Sequence, residues 1–313
     1  MSISFKEDHI SQIPALLMLE KFGYTYLTPD EALALRGGNL ANVLLEPVLR
    51  KQLAAINVVQ VSSMRTTVFS EQNITAGIDA LRNIPMDEGF MEASQTVYDL
   101  LTSGKTLEQI VDGDRKSFVM QYIDWKNPRN NVFHVTEEFA VSRTGMTDTY
   151  RPDIVLFVNG IPLCIIECKR PDVKDSIEQA ISQHLRNQKA DGIRSLYLYS
   201  TLLLAINRQE GSYATTATPE KFWARWREQF TDREEEARCR QELERVVNEP
   251  LLDDKLFGER FDYVHRNFED LYKQPVTPSV QDEYLCNLCR PERLLQLMYG
   301  FTPVSYTHLT LPT

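Results

Sequence analysis

The sequence lacks the long apolar runs that membrane proteins need. None of its apolar stretches approaches the roughly 18 residues that cross a bilayer, and its start, MSISFKEDHI, has no charged-then-apolar leader pattern. We therefore expect a cytoplasmic protein with no membrane partner.

Cysteine and histidine are scarce and scattered. The five cysteines are an odd number in a large chain without an export signal, so we expect reduced thiols rather than a disulfide framework. Cys286 and Cys289 have zinc-ligand spacing, but no second pair accompanies them, and two partly buried helical thiols are the favoured interpretation. The five histidines form no cluster at ligand spacing, which argues against histidine-based metal catalysis.

Positive charge is also in deficit, with 34 basic against 44 acidic residues and a net charge of −10. Nonspecific DNA binding works through lysine and arginine that displace counterions from phosphates, so this balance argues against a protein that coats nucleic acid. It does not exclude a nuclease, because an enzyme needs only a local electropositive groove or partners that bind the DNA.

The patterning of the 313 residues divides the chain into two parts. Helical spacing dominates the first third, β-forming residues dominate from NVFHVTEEFAVSR through RPDIVLFVNGIPLCIIECKR, and a 3.6-residue period returns over 175–188. These patterns predict an α/β domain over 1–215, in which helices flank a sheet. A mostly helical segment over 216–303 follows, and we expect 304–313, which has neither period nor cap, to be a truncated or non-native tail.

Some stretches carry more specific predictions. We expect a helix near 104–112, a continuous buried strand in SLYLYSTLLLAIN, and an amphipathic helix in ATPEKFWARWREQF that packs Trp223 and Trp226 against the first domain. The charge run DREEEARCRQELERVVN predicts a surface that is mostly wet. The run SGKT at 103–106 imitates the end of a phosphate-binding loop. Asp99 stands where the first glycine belongs and helical residues precede the run, so we expect no ATP site there.

Three charged residues interrupt the apolar hairpin RPDIVLFVNGIPLCIIECKR. An unpaired charge is expensive to bury, so Asp153, Glu167 and Lys169 need a reason to be there. Phosphodiester hydrolysis calls for a hard cation, and Mg²⁺ binds a few carboxylate oxygens while it keeps waters and substrate oxygens. We predict that Asp153, Glu167 and the backbone carbonyl of Cys168 bind Mg²⁺. Lys169 would orient or deprotonate the attacking water and stabilise charge on the phosphate.

This prediction depends on the register of the hairpin. In a regular ladder, a two-residue turn at Asn159-Gly160 would pair Asp153 with Ile166 and turn Glu167 to the opposite face. We therefore predict an odd-length loop or a bulge. The competing interpretation is an ordinary ion pair between Glu167 and Lys169 on an edge strand.

The segment RPDIVLFVNGIPLCIIECKRP resembles the nuclease motif of the PD-(D/E)xK superfamily, and more closely the N-terminal region of the motor-nuclease (R) subunit of type I restriction enzymes. Similarity to the same subunit extends over about residues 3 to 302, through SQIPALLMLEKFGYTYLTPDEA, EEFAVSR, AISQHLRNQ, GSYATTATPEKFWARW and LCRPERLLQLMYGF. The resemblance implies a PD-(D/E)xK fold, a central mixed sheet flanked by helices. It also implies that Asp153 and Glu167 bind Mg²⁺ and that Lys169 is catalytic.

The family also has a Gln-x-x-x-Tyr element on the helix that follows the motif. Gln183 matches it and, by resemblance, helps to position DNA or the site, whereas Asn187 stands in place of the tyrosine. Members of the superfamily often carry a metal-binding glutamate on the first helix, where this sequence offers Gln12 and Glu20.

The resemblance further implies double-stranded DNA as the substrate, within a restriction system for phage defence. Its partners would be the specificity and methyltransferase subunits of a type I restriction complex, which recognise the DNA sequence. ATP would act only through a translocase motor that this stretch of chain does not contain. Two alternatives remain open, a stand-alone PD-(D/E)xK repair or phage-defence nuclease and a noncatalytic docking module.

Overall fold

A computed structural model describes residues 11–62, 65–250, 255–256, 258, 261 and 275–300 of the chain. Its helices are α1 (Ile13–Lys21), α2 (Pro29–Ala34), α3 (Glu46–Ile56), α4 (Glu71–Arg82), α5 (Phe90–Ser103), α6 (Ser176–Asn187), α7 (Arg194–Tyr197), α8 (Arg233–Val247), α9 (Val280–Cys289) and α10 (Pro291–Gly300). Its strands are β1 (Thr25–Leu27), β2 (Val58–Ser62), β3 (Arg65–Val68), β4 (Lys105–Val111), β5 (Asp114–Met120), β6 (Phe133–Glu137), β7 (Val141–Ser142), β8 (Thr149–Tyr150), β9 (Ile154–Val158), β10 (Ile161–Cys168), β11 (Leu202–Ile206) and β12 (Gly211–Ala214).

The centre of the molecule is a six-stranded sheet in the order β1-β6-β9-β10-β11-β12. The pairs β1–β6 and β10–β11 are parallel and the other neighbours are antiparallel, so the sheet is mixed. Helices pack on it, with α6 against β10 and β11 and α1 against β6. The predicted α/β architecture, a central mixed sheet flanked by helices, is therefore confirmed.

Strands β9 and β10 occupy the middle of this sheet and are buried along their whole length. Neighbouring strands satisfy their backbone groups on both sides, and helices cover their faces, which explains their nearly continuous apolar sequence. Any charged side chain at their ends therefore enters an environment from which most water is excluded.

Several of the predicted helices and turns are confirmed. Helix α1 ends before Gly23, whose φ of +96° suits a residue without a Cβ, and β1 follows. Helix α2 begins with a capping box, in which Thr28 and Glu31 bond each other's backbone N–H groups. Helix α6 occupies the stretch in which the 3.6-residue period was found.

The helix predicted near 104–112 is wrong, because this stretch is strand β4 paired with β5. The connection is Asp112-Gly113, with φ angles of +56° and +87°, and this dipeptide is a strong signal for a two-residue hairpin turn. Gly104 ends α5, so the SGKT run lies between a helix and a strand. A phosphate-binding loop has the reverse order, strand then helix, and the expectation that this run is not such a loop holds.

The amphipathic helix predicted around Trp223 and Trp226 is also wrong. The segment forms one short 3-10 turn at Glu220–Phe222 and then runs extended, with Ala224 bonded to Tyr213 at the edge of the sheet. The predicted packing is nevertheless confirmed, because the Trp223 ring lies 5.2 Å from that of His184 on α6. The unpaired edge of β12 offers backbone partners that a helix would leave unused.

The apolar run SLYLYSTLLLAIN is only partly the predicted strand. Its first residues form the short helix α7, and the buried strand β11 begins at Leu202. Ser200 stands between them, and its hydroxyl donates to the carbonyl of Leu196, one turn back in the helix. Length favours this division, because the run exceeds the few residues that a typical strand contains.

The described helices after residue 215 pack on the sheet domain or lie in solvent. Helix α8 exposes most of its side chains, as the charge run predicted, and buries only two apolar ones. Helix α9 is hydrogen-bonded to the residues just before α1. Ser11 Oγ donates to Gln281 Oε1 at 2.6 Å, and Gln281 Nε2 donates to the Ser11 carbonyl at 2.8 Å. The domain boundary near 215 stays a prediction, and the predicted tail at 304–313 lies outside the described residues.

Two further expectations concern metals and membranes. Cys286 and Cys289 are buried thiols within α9, which agrees with the interpretation as helical thiols. Within the described residues there is no group of three potential metal-binding histidine, cysteine or acidic side chains. No helix in this part of the chain has the length and apolarity to cross a membrane.

Candidate active site

The turn of the β9–β10 hairpin has two residues, Asn159 and Gly160, both with positive φ. Such a turn matches the right-handed twist of the strands and favours asparagine followed by glycine. Gly160 is also packed tightly, because an added Cβ would lie 2.6 Å from the carbonyl oxygen of Leu45. The carbonyl of Gly160 accepts a hydrogen bond from the Leu45 amide, so the start of α3 fixes this end of the hairpin.

A β-bulge then corrects the register along β10. The pairing shifts between Pro162 and Cys164, and Leu163 is the extra residue. Beyond the bulge Ile166 pairs with Ile154, so the ladder sets Glu167 opposite Asp153. The predicted bulge is confirmed, and it puts the two carboxylates on the same face of the sheet.

Asp153 and Lys169 meet at the end of this hairpin. Oδ2 of Asp153 accepts a hydrogen bond of 2.7 Å from the Cys168 amide and lies 3.6 Å from Lys169 Nζ. Lys169 Nζ also donates to the Cys168 carbonyl at 3.1 Å. The predicted carbonyl ligand, the lysine and one acid thus lie within a few ångströms of one another. Both side chains are largely buried, with exposures of 14% for Lys169 and 17% for Asp153.

Glu167 completes the group from a fully buried position. Its Oε2 accepts a hydrogen bond from Gln183 Nε2, whereas its Oε1 has no hydrogen-bond partner among the described residues. Burial raises the pKa of Glu167 well above its usual range, and the neighbouring charge of Asp153 raises it further. A carboxyl group in this position is unsatisfied until a cation or a proton joins it.

The alternative of an ordinary ion pair on an edge strand does not fit the sheet. Strand β10 lies between β9 and β11, in the interior, and β1 and β12 form the edges. A buried, incompletely bonded carboxylate on an interior strand is costly for stability, which favours a functional interpretation of Glu167.

The oxygens present are suited to a hard divalent cation. Asp153 and Glu167 offer carboxylate oxygens, and the Cys168 carbonyl lies beside them. In the described part of the chain nothing donates a hydrogen bond to the buried Oε1 atom of Glu167. Magnesium binds through one or two carboxylates and retains several waters, so a site with few protein ligands fits Mg²⁺ better than it fits zinc.

Helix α6 is held above the sheet by buried polar contacts. His184 Nε2 bonds the Leu204 carbonyl at 3.0 Å, so this nitrogen carries the proton and Nδ1 accepts from the Tyr197 hydroxyl at 2.9 Å. Burial lowers the pKa of His184 to about 4, which keeps the ring neutral. Asn187, where the resemblance would place a tyrosine, is buried and donates to the same hydroxyl at 3.5 Å. These contacts fix the helix that presents Gln183.

Two further residues belong to this neighbourhood: Gln12, which the sequence offered as a candidate on the first helix, and Arg186, which sequence reasoning did not single out. Gln12, at the start of α1, is buried and donates to the Asp153 carbonyl at 2.8 Å, so it supports the backbone of the site instead of offering a carboxylate. Arg186 lies on α6, three residues after Gln183, and is exposed. Helical spacing from Gln183 was a signal that could have identified Arg186, because residues three apart share a face.

Comparison with known proteins identifies the family. The model of the family described as type I restriction enzyme R protein N terminus matches residues 4–222, which include every residue of the candidate site. This chain belongs to that family. The resemblance seen in the sequence is therefore confirmed, and the chain represents the N-terminal region of a type I restriction R subunit.

Individual R-subunit relatives are distant. The chain is 27% identical over 228 residues to MjaIXP of Methanocaldococcus jannaschii, assigned as the endonuclease subunit of a type I restriction enzyme, covering 70% of this chain and 20% of that protein. It is 28% identical over 206 residues to the HindI endonuclease subunit of Haemophilus influenzae, covering 63% and 18%. A second M. jannaschii protein, MjaVIIIP, is 30% identical over 175 residues, 55% of this chain and 15% of the relative. The chain thus spans about a fifth or less of these subunits.

Proposed function

We propose that this chain is the endonuclease domain of a type I restriction R subunit, that it has the PD-(D/E)xK fold, and that it hydrolyses phosphodiester bonds of duplex DNA with Mg²⁺. The observation that carries the proposal is the bulge at Leu163, because it sets Asp153 and Glu167 on one face of an interior hairpin. Lys169, 3.6 Å from Asp153, completes the group. The names of the related endonuclease subunits support the same conclusion.

Asp153, Glu167 and the Cys168 carbonyl are the groups that would hold the metal. Bound Mg²⁺ would polarise a phosphoryl oxygen and make a bound water more acidic. The Cys168 amide fixes Oδ2 of Asp153, and Gln183 fixes Oε2 of Glu167, so both carboxylates are oriented before any cation arrives. Such preorganisation lowers the reorganisation needed at the moment of reaction.

Lys169 is the residue that we propose to act on the substrate. Its Nζ contacts the Cys168 carbonyl and lies near Asp153, so it is held at the rim of the carboxylate pair with part of its surface still open. From there the ammonium can donate a hydrogen bond to the attacking water or to a phosphate oxygen. It would stabilise the negative charge that gathers on the phosphorus oxygens in the transition state.

The acidity of the chain bears on how DNA reaches this site. A net charge of −10 gives weak attraction for a polyanion, so we propose that partners supply most of the affinity. These are the specificity and methyltransferase subunits, which recognise the sequence, and an ATP-driven motor in the remainder of the R subunit. The assembly would act in the cytoplasm against phage DNA.

The proposal is tested by plasmid cleavage with an assembled complex whose R subunit carries this domain, with ATP turnover measured in parallel. We expect Asp153→Ala and Lys169→Ala to abolish cutting while ATP turnover continues. Lys51→Ala is the matched control and should cut normally, because Lys51 is an exposed lysine on α3, and the start of that helix contacts the Gly160 turn at the far end of the hairpin. Full restriction by Lys169→Ala would instead indicate a noncatalytic docking module. Robust Mg²⁺-dependent cutting by the isolated chain would indicate a stand-alone nuclease.

A further inference from the structure

Two arginines share one aromatic ring beside the candidate site. The guanidinium carbons of Arg143 and Arg186 each lie 4.5 Å from the ring centroid of Tyr150. Tyr150 is half-buried in β8, three residues before Asp153. The pair of cation–π contacts therefore sits on the chain segment that leads directly into the site.

The two arginines differ in how their charge is balanced. Arg143 bonds Asp148 at 3.0 Å and Asp191 at 2.6 Å, so two carboxylates neutralise it. Among the described residues, Arg186 hydrogen-bonds only the side-chain oxygen of Asn187, at 3.4 Å from Nε and 3.2 Å from Nη2, and that acceptor is neutral. Within the described part of the chain Arg186 has no carboxylate partner. An acidic protein thus keeps, in its described part, a guanidinium at this point that forms no ion pair with a carboxylate.

Helix α6 places Arg186 one turn away from a residue that bonds one of the carboxylates. Gln183 bonds Glu167, and Arg186 follows one turn later on the same face of α6. The influence of Arg186 reaches Glu167, whose pKa is raised by burial and by Asp153 but lowered by this arginine. The side chain of Arg186 is nevertheless exposed, so a ligand can approach it from solvent.

A phosphodiester is the ligand that these features suit. Guanidinium is planar and presents a fork of donors that matches two phosphate oxygens, and a charged acceptor strengthens those hydrogen bonds. The Tyr150 ring and Asn187 hold the group in place, so less side-chain freedom is lost when a ligand binds. Any phosphate that approaches Asp153 and Glu167 meets negative charge, and a fixed cation beside them offsets part of this repulsion.

We propose that Arg186 binds a backbone phosphate of the nucleic acid next to the phosphodiester held at Asp153, Glu167 and Lys169. This inference rests on the proposed function, which supplies the substrate class. Tyr150 and Asn187 position the guanidinium, and Arg143 serves the structure by tying its loop to Asp148 and Asp191. The contact is to phosphate and carries no sequence information, which agrees with a domain that cuts DNA without choosing the sequence.

The test is binding of a short fluorescent DNA duplex of arbitrary sequence by the full chain, followed by anisotropy over a series of salt concentrations. Measurements in EDTA exclude both cleavage and changes in metal affinity. For Arg186→Gln we expect weaker binding and a salt slope reduced by about 0.9, the loss of one phosphate contact. Arg186→Lys, which keeps the charge, should retain the slope with a smaller loss of affinity.

Lys51→Gln is the charge-matched control. It removes one positive charge from an exposed residue of α3, and the start of that helix contacts the Gly160 turn at the far end of the hairpin. We expect this variant to bind DNA as the wild type does. An effect of Lys51→Gln as large as that of Arg186→Gln would show that only net charge matters and would overturn the proposal.

Two other outcomes would also overturn it. One is an unchanged affinity and salt slope for Arg186→Gln, and the other is no DNA binding by the wild type at the lowest salt. Plasmid cleavage by the assembled complex separates these results from a failure of the proposed function. If Asp153→Ala abolishes cleavage while Arg186→Gln binds normally, the nuclease function stands and the phosphate contact falls. If Asp153→Ala cuts normally while Arg186→Gln binds with a reduced salt slope, the phosphate contact stands and the nuclease function falls.

Discussion

Replacing Glu167 by glutamine should stabilise the metal-free protein while it removes metal binding. Glu167 is fully buried, its Oε1 atom has no hydrogen-bond partner among the described residues, and Asp153 raises its pKa in addition to burial. Glutamine keeps the shape and the bond from Gln183, carries no charge, and can donate to Asp153 through its new amide. Because a buried unsatisfied polar group costs about 1–3 kcal/mol, we expect a gain of that order in the free energy of unfolding.

The gain should depend on pH. The folded-state pKa of Glu167 is raised, so the unfolded chain loses this proton first, at a pKa of about 4.3. Below that pH both states are protonated and no penalty exists. The penalty on the folded wild type grows as pH rises from there toward the raised pKa. The stability difference between Glu167→Gln and wild type should therefore be small in acid and largest at alkaline pH, as urea unfolding in EDTA can measure.

Magnesium should reverse the order of stability. At a free Mg²⁺ concentration about a thousandfold above its Kd, binding to the folded state alone stabilises the wild type by about 4.1 kcal/mol, which exceeds the gain of about 1–3 kcal/mol from the substitution, and Glu167→Gln should show no such increase. Glu137→Gln is the matched control, because Glu137 is a buried acid whose neighbour in the ladder is Ile154, on the opposite face from Asp153. It should respond to Mg²⁺ as the wild type does. A metal-free Glu167→Gln protein less stable than wild type at alkaline pH would refute the reasoning.

Two further predictions concern residues that hold the β9–β10 hairpin and helix α6 in place. Gly160→Ala should lower the free energy of unfolding by about 1–3 kcal/mol, since its φ is +84° and the new Cβ would meet the Leu45 carbonyl at 2.6 Å. Gly38→Ala, with φ of +71° and open space around it, should lose less, and equal losses by denaturant unfolding would contradict the packing argument. His184, bonded to the Leu204 carbonyl, has its pKa lowered from 6.5 to about 4, so the unfolded state binds the proton first as pH falls. About 3 kcal/mol of stability should be lost between those pH values, and an NMR titration that places the His184 pKa near 6.5 would exclude this.

Local sequence signals predicted the elements that carry the site. The apolar runs on either side of Asn159-Gly160 indicated a hairpin, and the 3.6-residue period indicated α6. Both patterns are short-range, because a turn depends on a few φ angles and a helix on contacts three and four residues away. The bulge was predicted as a condition, that Asp153 and Glu167 must share a face, but its position at Leu163 could not be.

The incorrect predictions concern stretches whose partners are distant in sequence or whose turn signal was missed. Leu107, Ile110 and Val111 have helical spacing, yet Asp112-Gly113 folds their strand back onto β5. Trp223 has a helical pattern around it, yet the edge of β12 binds its neighbouring backbone. In both cases pairing with another strand outweighed a weak intrinsic preference.

The sequence by itself determined the chemical identity of the site. It showed two acids and a lysine at the ends of an apolar hairpin, and the motif they form indicated the family to which the chain belongs. Only the tertiary structure decided how these groups meet. It aligns the carboxylates through the bulge, leaves Oε1 of Glu167 without a hydrogen-bond donor among the described residues, and stacks Arg186 on Tyr150. The physical reason is that burial, pairing and charge balance depend on which distant segments pack together.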